Sequence, residues 1–274
     1  MLQRIIPSSG ESLPVIGLGT WQQFDVGANE NERQQLTEVL KQMAAHGGRV
    51  IDSSPMYGRA EAVVGDLTSP LPIADDFFYA TKVWTSGKES GIPQINDSFR
   101  KMRRQTIDLL QIHNLVDWQT HLRTLRQLKE EGRIRYIGIT HYHRSAHAQL
   151  EQVIREEPID FVQFNYSIQE RHAEQSLLSA AQERGVAVLI NEPFETGTLF
   201  KRVKGKSLPA WAGDYGINSW SQFFLKYIIS HPAVTGVIPG TSNPKNVVEN
   251  MTAGNDLLPD ESIRRKMVQV MEEL

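Results

Sequence analysis

HLRTLRQLKEEGRIRYIGIT, residues 121–140, holds the handover from which the rest of the chain can be read. Leu122, Leu125 and Leu128 recur at the spacing that lines one face of a helix. Gly132 then supplies a residue that commonly ends a helix in a left-handed conformation. The apolar run at 136–139 follows at once and reads as a strand. A helix that passes directly into a short apolar strand is half of a parallel βα repeat.

Working outward, strand-like runs recur at 15–19, 50–51, 77–83, 107–112, 136–139, 161–164, 186–190 and 234–238, and helical patterns lie between them at 32–45, 60–67, 94–102, 121–131, 146–156, 174–183 and 219–229. The unit count predicts an α/β fold, a closed (β/α)8 TIM barrel. An open doubly wound sheet is disfavoured, because no G-x-G-x-x-G follows the first strand. Arg4-Ile5-Ile6 and the Ser8-Ser9-Gly10 turn predict a small N-terminal hairpin capping the barrel bottom. Helical stretches at 243–251 and 261–271 follow the last strand, the second of them an extra C-terminal helix. No Ser, Gly or Pro linker divides the chain, so residues 1–274 read as one barrel domain.

Basic and acidic residues number 29 and 32, for a net charge of -3, which argues against a general nucleic-acid or membrane surface. Arg100, Lys101, Arg103 and Arg104 close a helical stretch, where cations favour the dipole, and read as a solvated face. The absence of cysteine excludes disulfides, thiol nucleophiles and Cys-ligated metals. No metal site is read from the pattern. The first residues hold no apolar stretch long enough for a signal peptide or a membrane span, so a cytoplasmic location is the default, although a removed export leader would leave the same start. A monomer is expected.

Barrels place their chemistry at the C-terminal ends of the strands. The residues there are Trp21, Asp52, Tyr57, Lys82, Trp84, His113, Thr140, His141, Gln163, Asn165, Asn191 and the segment 240–243. A carboxylate, a phenol, an ammonium and an imidazole at one mouth form an acid-base arrangement, because each shifts the others' proton affinity. Tyr57 is a poor acid, with an ordinary pKa of about 10. A Lys82 cation beside it stabilises its anion and makes it a better donor, Asp52 holds that cation in place, and His113 orients a substrate oxygen. Taken singly, Asp52 also suits a turn cap, Lys82 a partly buried ion pair and His113 a polar strand end.

Several stretches carry a family likeness: Gly17-Leu18-Gly19-Thr20-Trp21, Ile51-Asp52-Ser53-Ser54-Pro55-Met56-Tyr57-Gly58, Ala80-Thr81-Lys82-Val83-Trp84, Leu109-Leu110-Gln111-Ile112-His113, Val162-Gln163-Phe164-Asn165-Tyr166-Ser167 and Ile238-Pro239-Gly240-Thr241-Ser242-Asn243-Pro244. In this order, over nearly the whole chain, they resemble the aldo-keto reductases. The resemblance implies NAD(P)H-dependent reduction of a small aldehyde or ketone to its alcohol, with hydride from nicotinamide, a catalytic tetrad of Asp52, Tyr57, Lys82 and His113, and Tyr57 as proton donor. NADPH is the expected cofactor, with NADH second. Implied cofactor contacts are Gly19, Thr20, Asp52, Thr140, His141, Gln163 and Asn191 around the nicotinamide half. Toward the adenosine half they are Gly240, Thr241, Ser242, Lys245, Asn246, Glu249 and Asn250. Trp21, Trp84 and Trp118 would wall the substrate pocket, with Phe24 a further candidate.

Two departures from the family pattern stand out. Residues 190–194 lack the aromatic that normally stacks on nicotinamide, unless Phe194 turns inward, and Asn246 and Gly240 stand where an arginine and a lysine often clamp the adenosine phosphate. Two rival functions follow: a cofactor-binding or regulatory barrel with weak catalysis, and a Schiff-base lyase barrel in which Lys82 attacks a carbonyl.

Overall fold

The computed structural model describes residues 1–255 and 257–274. Its strands are short and apolar because both of their faces are covered, one by the barrel interior and one by helices. The chain opens with a hairpin, β1 (Gln3–Ile5) and β2 (Ser12–Pro14), paired antiparallel. The barrel strands are β3 (Leu18–Gly19), β4 (Val50–Asp52), β5 (Phe78–Val83), β6 (Ile107–His113), β7 (Ile134–Thr140), β8 (Phe161–Asn165), β9 (Ala187–Asn191) and β10 (Gly236–Val237). Each pairs in parallel with the next, and bridges from Ile16 to Val237 and from Gly19 to Gly240 join the last strand to the first. The expected barrel closes.

The helices around it are α1 (Glu30–Ala45), α2 (Ala60–Thr68), α3 (Lys88–Met102), α4 (Trp118–Glu130), α5 (His147–Glu156), α6 (Leu177–Glu183), α7 (Thr198–Arg202), α8 (Trp220–Ile229), α9 (Pro244–Thr252) and α10 (Glu261–Glu272). Two differ from the periodicity reading. α3 begins at Lys88 and not at 94, because Pro93 is tolerated in its second turn, where it forgoes one backbone hydrogen bond. α7 was not anticipated, being only one turn long, below the length at which a period can be read. α10 is pinned by Arg264, which meets Glu174 at 2.8 Å and the Tyr166 hydroxyl at 2.6 Å.

Side chains alternate between the two faces of every strand. Ile51, Tyr79, Val83, Leu110, Ile112, Ile137, Ile139, Val162, Phe164, Val188 and Ile190 belong to the core shared with the helices. Val50, Phe78, Ala80, Leu109, Tyr136, Phe161, Ala187, Leu189 and Ile238 fill the lower barrel interior together with Ile6 and Leu13 of the hairpin segment. The next inward positions toward the C-terminal end are Asp52, Lys82, Gln111, Gln163 and Asn191, so the interior changes from apolar to polar within one side-chain layer. Gly138 makes room for this layer: a Cβ there would lie 2.8 Å from Gln111 Cγ.

The hairpin is clamped as well as packed. The Arg4 guanidinium donates to the carbonyl of Ile229, the last residue of α8, and to that of His231, at 2.6 Å each, and also to that of Val234 in the segment leading to β10, so it meets a helix end whose carbonyls have no following turn to pair with. Arg4→Ala is expected to cost about 2 kcal/mol, the scale of hydrogen bonds to a charged group. Thermal unfolding should show a Tm roughly 4–8 °C lower, and an unchanged Tm would mean that the hairpin is held by Ile6 and Leu13 alone.

The basic cluster at the end of α3 is ion-paired: Lys101 meets Asp97 at 2.8 Å and Arg104 meets Asp75 at 2.6 Å, while Arg100 pairs with Asp97 and Arg103 with Asp66. Among the described residues no helix is long and apolar enough to cross a membrane.

Candidate active site

Three neighbouring strand ends bring the four expected acid-base residues into contact. β4 delivers Asp52 and β5 delivers Lys82, whose Nζ donates to Asp52 Oδ2 at 2.5 Å and to the Ser53 carbonyl at 2.7 Å. Lys82 is fully buried. Burial disfavours its charge, but Asp52 and Tyr57 outweigh that cost and hold the ammonium above its ordinary range. Tyr57, on the turn between β4 and α2, presents its ring 4.9 Å from Lys82 Nζ. The ring of His113, the last residue of β6, meets Tyr57 edge-on at 5.8 Å.

The phenol's proton affinity departs from the sequence expectation. Burial raises the Tyr57 pKa, and the Lys82 charge recovers only part of that rise, so the net shift is upward. The group is a protonated donor at neutral pH, poised by its position more than by enhanced acidity. His113 is pushed the other way, down to about 2, by burial first and then by the charges of Lys82 and His141. It is a neutral imidazole. Its Nδ1 lies 3.0 Å from Ser54 Oγ.

A polar layer carries this group from below. Asp52 Oδ1 accepts from Gln111 Nε2 at 2.9 Å and from Gln163 Nε2 at 3.0 Å. Gln163 Oε1 accepts from Thr140 Oγ1 and from Asn191 Nδ2, both at 3.3 Å. Gln163 is thereby turned into the layer beneath the mouth. Asn191 Oδ1, in contrast, is buried without a hydrogen-bond partner, an acceptor that a bound donor group would satisfy. Thr20 Oγ1 lies 3.0 Å from both the Asp52 carbonyl and Ser53 Oγ, behind the tetrad.

Around the rim, Trp84 lies 6.4 Å from His113 and is largely exposed, as is Trp21 on the turn after β3. Trp118 starts α4 and packs against the helix-side core, and Phe24 is fully buried in that core. Phe194 turns toward Phe200, at 4.9 Å, and Phe224, at 6.4 Å, so it sits in an aromatic cluster with α7 and α8. His141 stacks on Tyr142 at 5.6 Å, and its Nδ1 accepts the His143 N–H at 3.0 Å, which leaves Nε2 to carry the proton. Among the described non-glycine residues with positive φ, all except Arg103 lie in the loops after β3, β6 and β9. Backbone strain gathers at this mouth.

Beside the mouth, α9 begins with Asn243 capping the Lys245 N–H at 2.9 Å. Lys245 and Asn246 are exposed on its first turn, and the Ser242 carbonyl accepts from Gln35 Nε2 at 2.7 Å. Glu249 is engaged by Ser221, and Asn250 is buried. A Cβ at Gly240 would come within 3.1 Å of the Gly19 carbonyl, so this glycine serves barrel closure.

Residues 15–267 match the aldo/keto reductase family. The chain belongs to that family. The methylglyoxal reductase YeaE of Escherichia coli (strain K12) is 26% identical over 259 residues, covering 91% of this chain and 89% of that protein. The NADH-specific methylglyoxal reductase of the same organism is 24% identical over 323 residues, covering 95% and 96%. The crystal structure of an aldo/keto reductase from Klebsiella pneumoniae in complex with NADP and acetate superposes with a TM-score of 0.84 at 24% identity, over 99% of this chain and 96% of that one. This aldo/keto reductase carries its polar layer at the C-terminal end of the barrel, the end where such barrels place their chemistry.

Two contributors escaped the sequence reading. Gln111 anchors Asp52, and its signal was its place two residues before His113 on the same strand face. Ser54 faces His113 across the mouth, and no local pattern marks it.

Proposed function

We propose that this family member reduces a small aldehyde or ketone to its alcohol with NADPH, Tyr57 delivering the proton. The observation that carries the reading is the Tyr57 ring set 4.9 Å from a buried ammonium that is itself ion-paired at 2.5 Å. The charge of Lys82 favours the phenolate left after proton transfer, and Asp52 keeps Lys82 from moving toward it. Neutral His113 offers one N–H to the carbonyl oxygen, which fixes that oxygen beside the phenol. The named activities of the Escherichia coli relatives make methylglyoxal the first substrate to test.

The residues present fit a nicotinamide cofactor. The orphaned Asn191 Oδ1 suits a carboxamide N–H, and the His141 Nε2–H suits its carbonyl. Lys245 and Asn246 on the exposed first turn of α9, with Thr241 and Ser242 nearby, suit a phosphate. When bound, reduced nicotinamide supplies the hydride. No aromatic side chain reaches the mouth from residues 190–194, so these polar contacts replace stacking as the means of orienting the ring.

Lys82 is a poor candidate for Schiff-base chemistry, which needs a lysine that gives up its proton readily and can reach substrate. Here it is buried and held charged. Repeated turnover of NADPH with methylglyoxal, read as loss of NADPH absorbance, is the expected result. Failure with a panel of aldehydes and both cofactors, or covalent trapping at Lys82 by borohydride, sinks the proposal.

The exposed first turn of α9 supports a further expectation. Asn246→Arg should tighten NADPH binding by about tenfold to a hundredfold, the range of one charge-assisted bond to the 2'-phosphate. NADH binding should hardly change, since that cofactor lacks the phosphate. Fluorescence titration decides: equal gains for both cofactors would place the adenosine end elsewhere.

A further inference from the structure

We propose that Ser54 sets the tautomer of His113 and so decides which ring nitrogen offers a proton to the substrate oxygen, a positioning role that rests on the reductase reading of this site. Ser54 is fully buried, so its hydroxyl cannot turn to solvent. Its oxygen accepts the Met56 N–H at 3.3 Å and lies 3.0 Å from His113 Nδ1. A hydroxyl has one proton to give, and a neutral imidazole has one donor and one acceptor nitrogen.

Two arrangements satisfy the distance. With the ring proton on Nδ1, Ser54 Oγ accepts twice and its own proton is left buried without an acceptor. With the ring proton on Nε2, Ser54 donates to Nδ1 and every group is paired. An unmet buried donor disfavours the first arrangement by roughly tenfold to a hundredfold. The serine therefore selects the second.

That choice matters because of what surrounds the other nitrogen. No described protein group hydrogen-bonds His113 Nε2, and the ring is framed by Tyr57 at 5.8 Å and Trp84 at 6.4 Å. An Nε2–H directed there binds a carbonyl oxygen, whereas an Nε2 lone pair would repel it. The neutral state of the imidazole keeps the choice open to a hydroxyl, since a doubly protonated ring would have none to make. Asp52, Ser54 and Tyr57 share one short segment, so the turn after β4 equips all of the tetrad: Asp52 holds Lys82, Ser54 orients His113 and Tyr57 donates.

Long-range 1H–15N spectra of the histidine rings in the full-length protein read the tautomer without any turnover. The wild type should show His113 protonated on Nε2. Ser54→Ala should shift the ring toward Nδ1–H, with kcat for methylglyoxal roughly tenfold lower and the Kd for NADPH unchanged. Ser54→Thr, which keeps a hydroxyl, should restore both the tautomer and the rate. An Nδ1–H wild type, or an alanine variant that keeps the wild-type tautomer, overturns the proposal, and the wild-type spectrum decides even if the variants fold poorly. Loss of the reductase reading would show separately, as a wild type with the Nε2–H tautomer and no turnover.

Discussion

Tyr57→Phe is expected to lower kcat for carbonyl reduction by roughly a hundredfold or more, the scale for deleting a general acid, while NADPH affinity stays within a few-fold of the parent. Only the hydroxyl is removed. The ring keeps its edge contact with His113 and its place beside Lys82, so neither the barrel nor the cofactor contacts are disturbed. The pH dependence supplies a second check. Burial raises the phenol's pKa, and the protonated form is the active one for reduction, so the rate should be flat through neutral pH and fall only above the ordinary phenol value of about 10. His113, driven down to about 2, should add no acidic limb in the usual assay range. Parent-like kcat in the phenylalanine variant would remove Tyr57 as the donor, and an alkaline limb near pH 8 would contradict the burial that the structure assigns to it.

Lys82→Met should abolish activity to a similar degree and also destabilise the fold. In the structure Lys82 has no exposed surface, and its removal leaves the buried Asp52 carboxylate with only the two glutamine amides. Breaking a buried pair from one side costs about 3–5 kcal/mol, which corresponds to a Tm fall on the order of ten degrees. Removing both charges in Asp52→Asn with Lys82→Met should recover much of that stability, because no unpaired ion remains, and none of the activity. A single variant with the parent's Tm would show that water reaches Asp52. A single variant with the parent's kcat and alkaline limb would show that the ammonium does not act on Tyr57.

Most of the architecture was legible because it rests on periods. Apolar spacing of two and of three to four residues, glycine at 132 and the direct handover to β7 can be read in one segment without knowledge of its neighbours, and the same reading applied eight times yields the barrel. Elements that carry no period were not legible: α7 is a single turn, and the start of α3 was hidden by Pro93.

The strand-end rule likewise selected Asp52, Tyr57, Lys82 and His113 from the linear chain, since position along a strand is a local property. What those residues experience is not local. The upward shift of the Tyr57 phenol is a balance between burial and a charge on another strand. The anchoring of Asp52 by Gln111 and Gln163 crosses from β4 to β6 and β8. Phe194 faces α8 and not the mouth because Phe200 and Phe224 complete an apolar cluster there, and Trp118 likewise packs on the core. The orphaned oxygen of Asn191 and the pairing of Ser54 with His113 exist only once the barrel has closed. Periodicity is carried by the chain's own order, whereas desolvation and hydrogen-bond pairing are sums over groups far apart in that order and take their values only when the fold brings those groups together.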